Sequence, residues 1–233
     1  MSVDADLNRA DGADDRAGTS DAGERLLALW EVASVTVSFL AAAWVSGPFA
    51  ESSKLVGAVP VAFALVLMLL SHRARGETAR EVGWRADNFG RALLLLAPPM
   101  LGAALVVALV GWTYRSFRVS KLENWQWVAW LFAWGLIQQY ALHGFVNRRA
   151  QIIWGRGWRS VLAVASVFAL LHLPNPLLTA ATFAGGLLWA WAYQRTPNLP
   201  ALALSHALMT WVLVSTLPES ALGGLRVGYK YFG

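Results

Sequence analysis

The sequence predicts an all-α polytopic membrane protein, a bundle of seven or eight spanning helices. Three observations predict it. The 233-residue chain is 57% hydrophobic and only 14% charged, against roughly 25% charged in an ordinary soluble domain. Long apolar runs recur from Leu26 to Leu217, separated by short basic loops. Those runs are also far longer than the alternating ~10-residue segments of a membrane β-barrel.

The same composition narrows the functional classes. The net charge of +5 resides in loops beside apolar helices, where Lys and Arg set orientation, so no nucleic-acid partner is expected. With no Cys in the chain, disulfides, thiolate catalysis and cysteine metal ligands are excluded. Sixteen Arg against three Lys, with abundant Ala, point to a GC-rich bacterial genome and hence to a bacterial inner membrane.

Residues 1–24 are small and polar, with seven carboxylates and two Arg. This composition predicts a disordered acidic tail on the cytoplasmic side. No basic segment precedes an apolar core, so the first run, Leu26–Val45, is expected to be an uncleaved membrane helix. Glu31 near its start is placed at the interface. Residues 25–217 then form one membrane domain, and 218–233 a Gly-rich C-terminal tail.

A second apolar run covers Leu55–Leu70. The segment His72–Arg91 carries five Arg against three acids and reads as amphipathic surface structure. A third run, Ala92–Trp112, contains Pro98-Pro99, where a kink is expected. The loop 113–124 holds Arg115, Arg118 and Lys121. The fourth helix is read as Trp125–Asn147, followed by a basic loop with Arg148, Arg149, Arg156 and Arg159. The fifth covers Ser160–His172, the sixth Leu177–Gln194 and the seventh Leu199–Leu217. Asn175 and Asn198, each beside a proline, read as turn residues. Trp112, Trp125, Trp127, Trp154 and Trp158 flank the runs, where an aromatic belt sits. Alternation from an inside N-terminus puts 72–91, 148–159 and 195–198 on the cytoplasmic side, as the positive-inside rule favours.

Three polar islands interrupt the apolar helices between residues 125 and 217: Gln138-Gln139 with His143, His172 after Phe168, and His206 with Thr210. Polar groups at membrane depth are costly and usually face a bundle interior or a cavity. The fifth helix, at ~1.5 Å per residue, reaches only ~20 Å into a ~30 Å core, and Pro174 and Pro176 then stop it. His172 is therefore expected deep in the membrane. Counted from the same side, Gln138 lies ~14 Å and His206 ~12 Å deep, so the three islands are expected to share one site. Gln139, His143 and Asn147 share a helix face, with Gln138 about 100° away. Gly144, Gly185-Gly186, Ala201, Ala203 and Ala207 suit close helix packing.

The order and spacing of the islands resemble the CPBP family of intramembrane proteases, which includes the Ras-converting CAAX endopeptidases. That family carries Glu-Glu-x-x-x-Arg, Phe-x-x-x-His and His-x-x-x-Asn on successive helices. Here Gln138-Gln139-x-x-x-His143 stands at the first motif, Phe168-x-x-x-His172 matches the second, and His206-x-x-x-Thr210 the third. The resemblance implies an intramembrane endopeptidase acting on membrane-tethered or lipidated peptides. It implies catalytic roles for Gln138, Gln139, His172, His206 and Thr210, and binding roles for His143, Asn147 and Phe168. The departures bear on the mechanism. An amide cannot serve as the family's water-activating carboxylate; in one reading His172 or His206 acts as base, with Gln138 or Gln139 positioning water and Thr210 donating to an oxyanion. A zinc ion on His143, His172 and His206 is the alternative chemistry. Two further readings stay open: a catalytically silent relative that binds or protects a membrane partner, and a small transporter using the polar slab as its path.

Overall fold

The computed structural model describes residues 3–45, 54–117 and 125–233, and no strand occurs among them. The chain runs α1 (Val3–Trp44), α2 (Lys54–Ala74), a single turn α3 (Ala79–Val82), α4 (Phe89–Thr113), α5 (Trp125–Gln139), a π-helical segment (Tyr140–Asn147), α6 (Arg148–Trp154), α7 (Trp158–Leu170), α8 (Pro176–Arg195) and α9 (Leu199–Thr216). A short helix α10 (Glu219–Leu222) and two 3-10 turns follow. The fold is all-α, as expected. Arg118 and Lys121 of the expected 113–124 loop lie outside the described residues.

Four of the described helices are long and apolar enough to cross a membrane: Asp21–Trp44, Val56–Ala74, Phe89–Thr113 and Leu199–Thr216. The other motif-bearing helices are too short or too polar to qualify by composition. The first helix continues back through the acidic segment to Val3, so the backbone there is helical where the sequence suggested an irregular tail. Ala recurs through that segment, and Ala is the strongest helix former.

Small residues set the helix spacing, as expected of membrane packing. A Cβ on Gly186 would lie 3.0 Å from Ala165 Cα, so α8 rests directly on α7. A Cβ on Gly135 would meet Ala203 O at 3.3 Å, which fixes α5 against α9. At Gly144 a Cβ would meet Val82 Cγ1 at 3.0 Å, bringing α3 onto the π-helical segment. Asn175 and Asn198 are helix N-caps: their side chains accept from Leu178 N at 3.1 Å and Ala201 N at 2.9 Å. Each is followed by a proline in the first turn, where a missing N–H costs nothing.

The basic segments expected on one side do meet at one end of the bundle. Arg148 Nε donates to Glu77 Oε1 at 2.8 Å, Asn198 Nδ2 to Arg85 O at 2.7 Å, and Arg156 to Gln194 O. The loop expected at 148–159 is mostly helix, however. Arg149 is fully buried in α6, with Nη1 2.9 Å from Glu77 Oε1 and Nε 2.8 Å from Glu31 Oε2. Glu31 is thus turned inward rather than interfacial, and Ser71 Oγ and Arg75 Nη2 also donate to it, at 2.7 and 3.2 Å. His72 Nδ1 donates to Glu77 Oε2 at 2.5 Å. Burial alone would raise the Glu77 pKa. Hydrogen bonds from His72 and Arg149, the Arg149 charge and a bond from Arg148 hold it well below the usual carboxylate range.

Candidate functional site

The first motif spans the end of α5 and the π-helical segment, a wider turn that recurs at functional sites. Trp134, Gln138, Leu142 and Val146 line one cavity, while Gln139, His143 and Asn147 turn into the protein and are fully buried. The cavity has a volume of about 470 Å³ and lies between α1, α2, α5 and α7, with the C-terminal tail at one end. Its walls are apolar apart from Thr36, Gln138, His172 and Lys230.

His172 sits in the turn that ends α7, its backbone N–H bonded to Ala169 O at 2.9 Å. Its Nδ1 lies 2.8 Å from Phe168 O. A carbonyl can only accept, so Nδ1 carries the proton, and the neutral ring keeps Nε2 as an acceptor. Phe168 meets this ring edge-on at 4.8 Å and the His206 ring at 6.0 Å. The two imidazoles therefore flank one phenyl ring.

His206 is held on three sides. Trp189 stacks on it at 4.8 Å, and the Trp189 indole is fixed by a 2.9 Å bond to Ser205 Oγ. Gln139 Nε2 donates to His206 Nδ1 at 3.0 Å, leaving Gln139 Oε1 as a buried acceptor without a partner among the described residues. With Nδ1 accepting, the neutral His206 ring carries its proton on Nε2. Gln139 and His206, from the first and third motifs, are thus joined directly, whereas Gln138 and His172 share the cavity. His206 is not part of the cavity wall, nor is Thr210 one turn beyond it.

His143 and Asn147 belong to a separate buried cluster. Asn147 Nδ2 donates to His143 Nδ1 at 3.3 Å and to Ala190 O at 3.2 Å. Asn147 Oδ1 accepts from Gln194 Nε2 at 3.1 Å, and His143 stacks on Tyr193 at 5.7 Å. These contacts tie the π-helical segment to α8 rather than opening toward a ligand. Among the described residues no group of three His, Cys, Asp or Glu stands placed to hold a metal ion.

Sequence reading passed over several residues that shape this region. Arg149 looked like an ordinary orientation charge. Its signal was Glu31, a carboxylate inside an apolar run that needed a buried partner. Trp189 carried no motif, and α8 packing stacks it on His206; the tail residues Val227 and Lys230 carried none either, and the folding of 218–233 back over the bundle brings them to the cavity.

Residues 120–212, which include all three islands, match the family described as type II CAAX prenyl endopeptidase Rce1-like. No curated protein and no solved structure matches the chain.

Proposed function

We propose that this membrane protein is an intramembrane endopeptidase acting on membrane-tethered or lipidated peptides, since residues 120–212 match the Rce1-like type II CAAX prenyl endopeptidase family. The observation that carries the reading is that Gln138 and His172 face the same apolar cavity. Its volume of about 470 Å³ falls within the roughly 300–1,000 Å³ of small-molecule sites, enough for an apolar chain beside a peptide segment.

In this reading His172 is the general base. Its Nε2 takes a proton from a water held by the Gln138 side chain as the water oxygen attacks the scissile carbonyl carbon. The Nδ1–H bond to Phe168 O fixes the tautomer and stabilises the imidazolium that forms. The Gln138 amide N–H faces the developing oxyanion. The imidazolium then returns its proton to the peptide nitrogen as the C–N bond breaks. Gln139 and His206 act as positioning residues, bracing Phe168 from behind.

One observation favours the silent-relative reading: no Asp or Glu among the described residues lines the cavity, where the amide Gln138 stands in place of a family carboxylate. The test is peptide release in liposomes from a panel of lipidated and membrane-tethered peptides, comparing wild type with His172→Ala and Gln138→Glu. We expect turnover by wild type, its loss in His172→Ala, and a gain in Gln138→Glu, which restores a carboxylate beside His172. Binding without release by wild type and by Gln138→Glu would make the protein a binder.

We further propose that the end bearing 72–91 and 148–159 is cytoplasmic, since it gathers the Arg-rich segments. Cysteine introduced at Arg156 should resist an impermeant thiol reagent in intact cells; ready labelling would reverse the orientation.

A further inference from the structure

The C-terminal tail lies outside the segment matched to the family, yet it forms one wall of the cavity through Val227 and Lys230. Its position is built, not incidental. Gly228 N donates to Leu173 O at 2.8 Å, directly after His172. Gly228 has φ +58° and a Cβ there would lie 2.4 Å from Ala43 O, so the tail presses backbone-to-backbone on α1. Asn175 Nδ2, on the same turn as His172, donates to Leu222 O at 2.9 Å and Arg226 O at 3.2 Å. Phe232 then packs on Trp44 at 6.3 Å. Contacts on both sides of Lys230 therefore fix its backbone relative to His172 and α1.

Lys230 is the sole charged residue of the cavity wall and has no ion pair or hydrogen bond with any described residue. The remainder of that end, Phe39, Ala42, Ala43 and Val227, is apolar. An apolar slot ending in an exposed ammonium that no described residue pairs is complementary to an apolar chain ending in an anion. We propose that Lys230 is a specificity residue that holds the free C-terminal carboxylate of the bound peptide, its apolar residues lying along the cavity toward Gln138 and His172. This rests on the endopeptidase reading for the peptide's identity, but not on hydrolysis.

The experiment is equilibrium binding of a lipidated peptide with a free C-terminal carboxylate, against the same peptide amidated at its C-terminus. It uses the full chain in nanodiscs of uncharged lipid. A charge-assisted bond in a partly open site is worth about tenfold in affinity, so wild type should prefer the acid by about that factor. Lys230→Met keeps the apolar stem and should bind acid and amide alike, with amide affinity unchanged. Lys230→Arg should keep the preference. Equal binding of acid and amide by wild type, or a preference that survives Lys230→Met, would overturn the assignment. So would displacement of the acid by an anionic phospholipid at lower concentration than by excess peptide, which would make Lys230 a headgroup contact. Loss of hydrolysis with intact acid preference would instead count against the endopeptidase reading alone, and hydrolysis indifferent to Lys230→Met and to amidation would count against this one alone.

Discussion

Two polar regions sit inside this apolar bundle, and they are built on opposite principles. Where α1, α2 and α6 meet, the polar groups are ions: Glu31, Glu77, Arg148 and Arg149, with each carboxylate against at least one guanidinium. At the cavity between α1, α2, α5 and α7 the polar groups are the Gln138 amide, the His172 imidazole and the Thr36 hydroxyl, with Lys230 the one charge and no carboxylate among the described residues of its wall. The ionic region closes on itself, since a buried charge is tolerable only when paired and hydrogen-bonded. The neutral region leaves His172 Nε2 unused at a cavity wall. Charges paired with one another fix the fold; groups left with spare hydrogen-bonding capacity at a cavity are the ones available for chemistry.

The largest expected effect tests the neutral region. His172→Ala should lower peptide release by about 10²–10⁴-fold, the usual contribution of a positioned base, with thermal stability in detergent near wild type. A variant that keeps wild-type turnover would remove the base from the mechanism.

The ionic region should answer in the opposite currency. Arg149→Met leaves Glu31 and Glu77 facing each other's side of an empty position, and breaking such a buried pair costs about 3–5 kcal/mol. Thermal unfolding in detergent should move down sharply, while any protein that remains folded keeps its cavity and its ligand affinity. An unchanged melting temperature would show that the network contributes little.

Glu77 makes the same region pH-dependent. Its folded pKa is depressed below the ordinary value of about 4.5, so the folded state binds fewer protons there than the unfolded state does. The resulting stability is fully present above about pH 4.5 and is lost as pH falls from there through the folded pKa. Glu77→Gln should be less stable at neutral pH and show a shallower loss below pH 4.5. Parallel acid-unfolding curves for the two proteins would contradict this.

The smallest effect concerns a cap that joins the two ends of the argument. Asn198 caps α9, the helix of His206, and its Nδ2 also holds Arg85 O. Asn198→Ala should cost about 1 kcal/mol in detergent unfolding, without altering the response to His172 substitution. A change in turnover as large as that of His172→Ala would mean that α9 register governs the site.

By itself the sequence determined the helical class, the limits of α9 to within one residue and of α4 to within three, and the three polar islands. Each follows from local facts: apolar run length, proline and asparagine at helix starts, and the spacing that puts Gln139, His143 and Asn147 on one face and Gln138 on another. Tertiary structure alone decided how the islands pair. The common depth predicted one shared site, but depth says nothing of rotation about a helix axis. Packing of α5 and the π-helical segment against their neighbours set that rotation, facing Gln138 to the cavity with His172, Gln139 inward to His206 and His143 toward Tyr193. Likewise Arg149 reads as a loop charge until α1 brings Glu31 beside it, and Lys230 reads as tail until Gly228 presses that tail onto α1 and the His172 turn. Partners distant in sequence are fixed by packing, and packing between helices leaves no periodic trace in any one of them.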